Sequence, residues 1–497
     1  RSLLKMRRDV AGPADRRVPA EVGGGTGGRA GYAVRFEQRV SPRTRIRFIT
    51  EGLLLRRLQA DPVLDGVACV ILDEFHERHL ETDLALTLLR RLQRSVRSDL
   101  RLAVMSATLD PGPVAAFLEG RVLHGRGRAH PVDLAHLPGP DPRSLPLQVA
   151  AAVEGLCTTG PDGHVLVFLP GAAEIRACAR SCAALAERHG LSLLPLHGDL
   201  STEAQEAAVG PSDRPKLILS TNVAESSVTL EGVAAVIDSG LAREAFHSPW
   251  SGLPGLRTTR ISRQRAIQRA GRAGRTGPGR CLRLYTQADF QARPEADPPE
   301  IRRADLTEAL LTLHALGLPE PAALDWFEPP PEASVEAAES LLRRLGALDP
   351  GGTLTEAGRA MAALPLHPRL ARLLVAGEAL GIPRLARLAA VLLEVGDLRA
   401  RQSLDGAAEP GGPLDSDLLP VLDRYQEAEA AGFEAAALRA AGLDAGAVHR
   451  ARRSFQNLGK VTGGTEPADA ERRLQRALLR AYPDRVGRRQ GGTLSLG

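Results

Sequence analysis

What most restricts the fold of this 497-residue chain is a rhythm that occurs twice, in which short runs rich in Val, Ile and Leu alternate with stretches of helical apolar spacing. That alternation is the arrangement of parallel α/β sheets. The first round includes Val67–Leu72, the amphipathic stretch Asp83–Gln93 and the run Leu102–Met105. A Gly/Pro-rich connector, Pro138–Pro146, leads to a second round with strands expected at Val165–Leu169, Leu193–Leu196, Leu217–Leu219 and Ala234–Ile237. Beyond about Thr286 the strand signal fades, and Leu306, Leu310, Leu313 and Leu316, then Leu341, Leu342 and Leu345, recur at helical spacing. Leu348–Leu354 with its Gly351-Gly352 turn completes a pattern that suits a small winged-helix module. Helical segments continue from Arg369 to Tyr482, interrupted by a loop at Glu409–Pro413, and Gly23–Gly28 reads as a further loop. A chain of this length with 43% hydrophobic residues should hold three or four domains with packed cores.

Composition narrows the class. No stretch approaches the roughly 18 consecutive apolar residues of a membrane span, and the N-terminus lacks a secretory layout, so a cytoplasmic location is expected. The cysteines Cys69, Cys157, Cys178, Cys182 and Cys281 are odd in number and scattered, which fits reduced thiols. Cys178 and Cys182 lie one helical turn apart, but no nearby Cys or His completes a four-ligand metal pattern. Net charge is only +5, yet between Ala245 and Ala288 nine arginines occur with no Asp or Glu. Such a run favours a surface that faces phosphate.

Four short motifs carry the chemistry. Asp73-Glu74-Phe75-His76 follows the apolar run Val67–Leu72, which places two carboxylates at a strand's C-terminal end, where they can bind a metal and activate water. Gln268-Arg269-Ala270-Gly271-Arg272-Ala273-Gly274-Arg275 sets arginines three apart on a Gly-spaced segment, a geometry suited to gripping phosphate. Ser106-Ala107-Thr108 and Ser220-Thr221-Asn222-Val223-Ala224-Glu225-Ser226-Ser227 each follow a strand. A zinc site at His76-Glu77-Arg78-His79 does not match the spacing of zinc proteases, whose histidines stand four apart on a helix.

In this order and spacing the motifs resemble the DExH-box branch of superfamily 2 helicases, and within it the bacterial HrpB type, given Asp73–Arg78 and Thr50–Leu58. The resemblance runs from about Gly31 to the C-terminus and implies two tandem RecA-like α/β lobes followed by winged-helix and helical-bundle domains. Expected boundaries are 1–125 for an incomplete first lobe, 126–286 for the second and 287–365 for the winged helix. A ratchet-like bundle follows at 366–480, then the start of another domain at 481–497. The implied cofactors are ATP and Mg²⁺, with Asp73 and Glu74 on the metal and Glu74 also on the attacking water. Arg272 and Arg275 would reach the γ-phosphate, and Gln268 would lie near the water. Ser106 and Thr108 would couple hydrolysis to lobe movement, and His76 would sit at the lobe interface near Gln268. Thr50, Gly52, His197, Gly198, Thr221 and Asn222 match positions that line the groove for a single strand, and such contacts position without specifying sequence. Asp238 through Arg263 looks like the family's strand-separating β-hairpin, with Trp250 at its tip either packed beneath it or against a base. The implied function is an ATP-dependent nucleic-acid helicase, acting on RNA rather than DNA, working as a monomer and bound to no membrane. The rival reading is a nucleic-acid-binding remnant without ATP turnover.

The chain departs from the pattern in one decisive respect: no Gly-x-x-x-x-Gly-Lys-Ser/Thr loop occurs among its residues. Lys5 and Lys216 lack the glycines, and Gly459-Lys460-Val461 lacks the upstream glycine and the hydroxyl. The chain opens on Arg1 and closes soon after Ala481–Val486, which reads as truncation at both ends. Arg7–Glu21 only loosely matches the arginine-bearing strand-contact motif of the family, and Pro13 and Pro19 would break the helix expected there, so Arg7 and Arg8 receive no role. Little ATPase activity is therefore expected of the 497 residues themselves.

Overall fold

The computed structural model describes residues 2–6, 28–34, 37–125, 130–158, 163–198, 200–225, 230–247, 254–396, 398, 418–458, 467–490 and 493–496. Most of Gly23–Gly28, the loop at Glu409–Pro413, Lys460 and Trp250 lie outside those residues. Two compact units emerge: Arg1–Ala304 with Leu324–Pro330, and Asp305–Ala323 with Pro331–Gly497.

The first unit holds two six-stranded sheets. One comprises β1 (Ser2–Met6), β2 (Ala30–Val34), β3 (Glu37–Arg39), β4 (Ile46–Ile49), β5 (Val67–Leu72) and β6 (Arg101–Val104), in the order β3-β2-β4-β1-β5-β6. Its pairs are parallel apart from β2 with β3. The other is built from β7 (Val132–His136), β8 (His164–Phe168), β9 (Ser192–Leu196), β10 (Lys216–Ser220) and β11 (Val233–Asp238), and it is joined after the antiparallel hairpin β12 (Leu241–His247) and β13 (Pro254–Arg260) by β14 (Gly279–Arg283). Its order is β7-β14-β11-β8-β10-β9, parallel throughout. The fold is thus α/β with two parallel-type sheets, as expected from the alternation. Strands β1 to β4 were not anticipated.

The unbroken apolar runs follow from burial on both faces of the second sheet. Successive side chains on a strand point to opposite faces. Val165, Val167, Leu217, Leu219 and Ile237 therefore enter one core with Val149, Val153 and Ile175 of the flanking helices. Leu166, Phe168, Ile218 and Val236 enter the other, with Ala270, Ala273 and Cys281. Each large apolar side chain so buried contributes about 1.5–3 kcal/mol. Cys178 and Cys182 belong to the first core, where burial pushes their thiols up to about 12 and about 11. Lys216 is buried too: its Nζ donates to the carbonyls of Ala207 (2.8 Å), Ala208 (3.1 Å) and Gly210 (2.6 Å), which closes the C-terminal end of the helix Thr202–Val209.

Helices make up most of the second unit, among them Thr307–Ala315, Glu332–Arg344, Glu356–Ala362, Pro368–Ala379 and Pro383–Val395. The Gly351-Gly352 turn is a short antiparallel bridge between Leu348 and Leu354, with Gly352 at φ 85°, a left-handed conformation that favours glycine. Near the chain end, beyond the helical stretch that was read as ending at Tyr482, β15 (Gly487–Gln490) pairs with β16 (Thr493–Leu496). Among the described residues no helix is long and apolar enough to cross a membrane.

Candidate functional site

The carboxylate motif leaves β5 through a tight turn. Phe75 drops into the core, fully buried, and its N–H donates to the carbonyl of Met105 (3.0 Å), while the Met105 N–H donates to Leu72 (2.8 Å). These bonds lash the turn to the end of β6. Glu74 (φ 52°) and Arg78 (φ 48°) both take the left-handed conformation, which is uncommon for residues with a side chain and is held here by the surroundings. The Phe75 ring meets the Phe327 ring edge-on at 5.6 Å. Arg78 is fastened to Asp83 (2.9 Å) and Glu328 (2.9 Å) and lies 4.7 Å over Phe327. With Phe75 turned inward, Asp73 and Glu74 stay half-buried at the rim of the sheet, and Asp73 Oδ1 accepts the Glu74 N–H at 3.0 Å.

His76 connects this rim to the second sheet. Its Nε2 accepts a short hydrogen bond from the side-chain amide of Gln268. The other ring nitrogen, Nδ1, lies 3.6 Å from Glu74 Oε2. One turn earlier on the same helix, Arg263–Gly271, Gln264 donates to the Thr108 hydroxyl at 2.6 Å. The helix thus offers Gln264 and Gln268, at i and i+4, to two motifs of the first sheet. Gln264 was not singled out from the sequence, although its spacing of four from Gln268 carries the signal. Ser106 is exposed and its Oγ accepts the Leu109 N–H at 3.2 Å.

The other face of that helix is tied into its own lobe. Ser262 caps its start by accepting the Arg265 N–H. Arg269, fully buried, donates to Asp238 Oδ1 (2.7 Å), Glu225 Oε2 (3.1 Å) and the Leu241 carbonyl (3.1 Å), and lies 4.8 Å over the Phe168 ring. Asp238 is also buried and accepts from the Tyr285 hydroxyl at 2.8 Å. Arg272, 2% exposed, donates Nε to the Glu225 carbonyl at 2.9 Å, whereas Arg275 is exposed. Gly274 sits where a Cβ would meet the His130 carbonyl at 2.6 Å, so the close approach of this turn to the chain entering β7 requires glycine. The arginine-rich run is therefore not one continuous phosphate-facing surface. Arg269, Arg272 and Arg283 are buried, and acids from outside the run, Glu225, Glu244, Asp238, Asp289 and Asp297, pair with several of its members. A run without acids can be neutralised by acids that the fold brings to it.

The residues matched to a strand groove fall at strand and helix ends. The Thr221 N–H donates to the Leu196 carbonyl (3.1 Å), which sets Thr221 and Asn222 beside His197 and Gly198 at the adjoining ends of β10 and β9. Asn222 and Gly198 are exposed. Thr50 precedes the helix Glu51–Ala60 in extended conformation, its hydroxyl making no capping bond, and Gly52 is exposed with open space where a Cβ would stand. Trp250 falls outside the described residues.

Comparison with known proteins follows the same division. The family described as "Helicase conserved C-terminal domain" matches residues 148–277, and "Helicase associated domain (HA2), winged-helix" matches residues 338–366. ATP-dependent RNA helicase HrpB of Escherichia coli (strain K12) is 40% identical over 381 residues, covering 76% of this chain and 46% of that protein. Probable ATP-dependent RNA helicase DHX34 of Mus musculus is 38% identical over 410 residues, covering 79% of this chain and 36% of that protein. The chain therefore spans half or less of the length of these relatives. Among solved structures, two of E. coli HrpB, one titled as a DExH-box NTPase and the other as a DEAH/RHA helicase, align over 100% of this chain. They give TM-scores of 0.77 and 0.79 at 34% and 33% identity, and the chain covers 57% and 59% of theirs.

Proposed function

Because this chain belongs to the DExH-box branch of the superfamily 2 helicases, of the HrpB type, we propose that it supplies part of an ATP-dependent helicase that acts on single-stranded RNA. The observation that carries the reading is the contact between His76 and Gln268, which joins the carboxylate rim of one sheet to the arginine-bearing helix of the other. In this reading Asp73 and Glu74 would hold Mg²⁺ with ATP, since two carboxylates at a strand end suit a hard cation that takes only one or two protein oxygens. When bound, the metal neutralises charge on the phosphate oxygens. Glu74 orients the attacking water and takes its proton, helped by the His76 ring beside it. Gln268 stands near that water, while Arg272 and Arg275 offer guanidinium groups to the γ-phosphate. Ser106 and Thr108 pass the state of the nucleotide to the helix Arg263–Gly271, through the bond between Thr108 and Gln264. Thr50, Gly52, His197, Gly198, Thr221 and Asn222 face the sugar–phosphate backbone. The names of the relatives support RNA as the strand.

A second reading, a strand-binding module without turnover, is favoured by one observation: no lysine of the sequence stands in a Gly-x-x-x-x-Gly-Lys-Ser/Thr loop. Two measurements separate the readings. Residues 1–497 should bind single strands without sequence preference; with about four to six phosphate contacts, the log–log salt slope should be near −3 to −4. A flat salt response overturns the groove assignment. Supplying a segment with the lysine-bearing loop should give strand-stimulated phosphate release that Glu74→Gln abolishes and Arg272→Ala lowers by roughly 10³ to 10⁵. Failure to gain turnover leaves the binding module. Should Arg272→Ala lose nucleotide-free strand affinity as much as turnover, its guanidinium serves the fold and not the phosphate.

A further inference from the structure

The geometry points to Glu225 as a positioning residue that links the strand-facing end of β10 to the arginine face of the helix Arg263–Gly271. This rests on the strand-facing role proposed for Thr221 and Asn222. Arg265, Arg269 and Arg272 stand at i, i+4 and i+7, on one side of that helix and its continuation. All three close on the same residue. Arg265 grips the Glu225 carboxylate with two prongs, Nε to Oε1 at 2.6 Å and Nη2 to Oε2 at 3.1 Å. Arg269 adds Nε to Oε2 at 3.1 Å. Arg272 turns instead to the Glu225 main chain, donating both Nε (2.9 Å) and Nη2 to its carbonyl. Glu225 itself is 7% exposed, so these are charge-assisted bonds in a site largely closed to water.

The other end of the link is local. Asn222–Ala224 forms a single 3₁₀ turn, closed by the Glu225 N–H donating to the Asn222 carbonyl at 2.8 Å, with Ala224 packed in the core of the second sheet. A shift at Thr221 or Asn222 therefore carries the Glu225 carbonyl with it, and through that carbonyl the guanidinium of Arg272. The helix as a body has further anchors: Arg269 on Asp238, and Arg265 on Glu244 (3.5 Å) and Asp297 (3.4 Å). Loss of the Glu225 charge thus leaves the helix attached, with Arg272 still on the Glu225 carbonyl, while freeing Arg265 and Arg269 from the loop's carboxylate.

The test uses residues 1–497 and a uridine oligonucleotide as the probe. Affinity is read by fluorescence anisotropy, and amide hydrogen exchange is followed across residues 263–274 with and without the oligonucleotide. In the parent, strand binding should slow exchange there on the order of five-fold or more. Glu225→Gln keeps the size and one acceptor oxygen but sets an amide against Arg265 and Arg269. It should bind the oligonucleotide within about three-fold of the parent, yet lose the part of the exchange response that passes through Arg265 and Arg269, on the order of half or more. Glu225→Asp, which keeps the charge, should restore part of it. Should Glu225→Gln fail to fold, Arg265→Gln removes the two-pronged contact while Arg269 stays on Asp238, and it should show the same lost response. An undiminished response in the variant that folds reduces Glu225 to an ordinary ion-pair partner and overturns the proposal. So does a parent that binds the oligonucleotide without any change at 263–274, an outcome that leaves the strand-binding reading intact. A parent that does not bind at all overturns that reading, and this link with it.

Discussion

The two sheets present their chemical groups by different means. On the first, Asp73 and Glu74 are placed by backbone: a left-handed Glu74, the Phe75 side chain in the core, and main-chain bonds from Phe75 and Met105. On the second, Arg265 and Arg269 are placed mainly by buried side-chain charge, through Glu225 and Asp238, and Arg272 follows on the Glu225 carbonyl. A site placed by backbone can lose a functional side chain without losing its shape. One placed by buried ion pairs cannot lose a partner without stranding a charge.

Asp238→Ala is the severest break of that contrast. It leaves the fully buried Arg269 with one carboxylate fewer and removes the acceptor of the Tyr285 hydroxyl. Breaking a buried pair by deleting one partner costs about 3–5 kcal/mol. The urea midpoint of the transition involving the first unit should fall accordingly. An effect below about 1 kcal/mol would mean the network is loosely solvated and the contrast unfounded.

Phe75→Leu should cost less, about 1–2 kcal/mol, from a small volume loss and the missing edge contact with Phe327. The same urea measurement checks it. A loss equal to that of Asp238→Ala would show that the first site depends on a single side chain as heavily as the second does.

How far the sequence reveals these two sites depends on the same distinction. Strand β5 and the turn after it were legible because six apolar residues followed by Asp73-Glu74 form a local pattern, and β5 occupies Val67–Leu72 as read. The strands β8 to β11 were found within one residue or so for the same reason. By contrast β2 has a glycine and two alanines among its five residues, and Gly31 lets the Arg39 carbonyl come within 2.3 Å of where a Cβ would be. No run of residues announces that contact. Nor could the arginine run disclose its partners, since Glu225 and Asp238 lie 40 and 31 residues from the arginines they hold. Burial of Arg269 and Arg272 depends on pairing across the chain, and composition inside a window cannot register it.

The smallest expected change belongs to Glu74, and its sign is the sharpest test of the contrast. Glu74 is half-buried at the rim, and its φ of 52° lies where a side chain costs energy that glycine avoids. Glu74→Gln should leave stability within about 0.5 kcal/mol of the parent, because it removes neither packing nor a backbone bond. Glu74→Gly relieves the left-handed strain but also loosens the unfolded chain, and the two effects are each about 1 kcal/mol, so it should sit near the parent or slightly above it. Thermal midpoints of the parent and the two variants read this directly. If both variants melt at or above the parent while turnover is lost in the protein supplied with its lysine-bearing loop, Glu74 is kept for chemistry at the expense of stability, as residues at functional sites often are. A marked drop for both would instead make the Glu74 side chain a structural partner of the turn. The first sheet would then hold its chemical groups by side-chain contacts, as the second does.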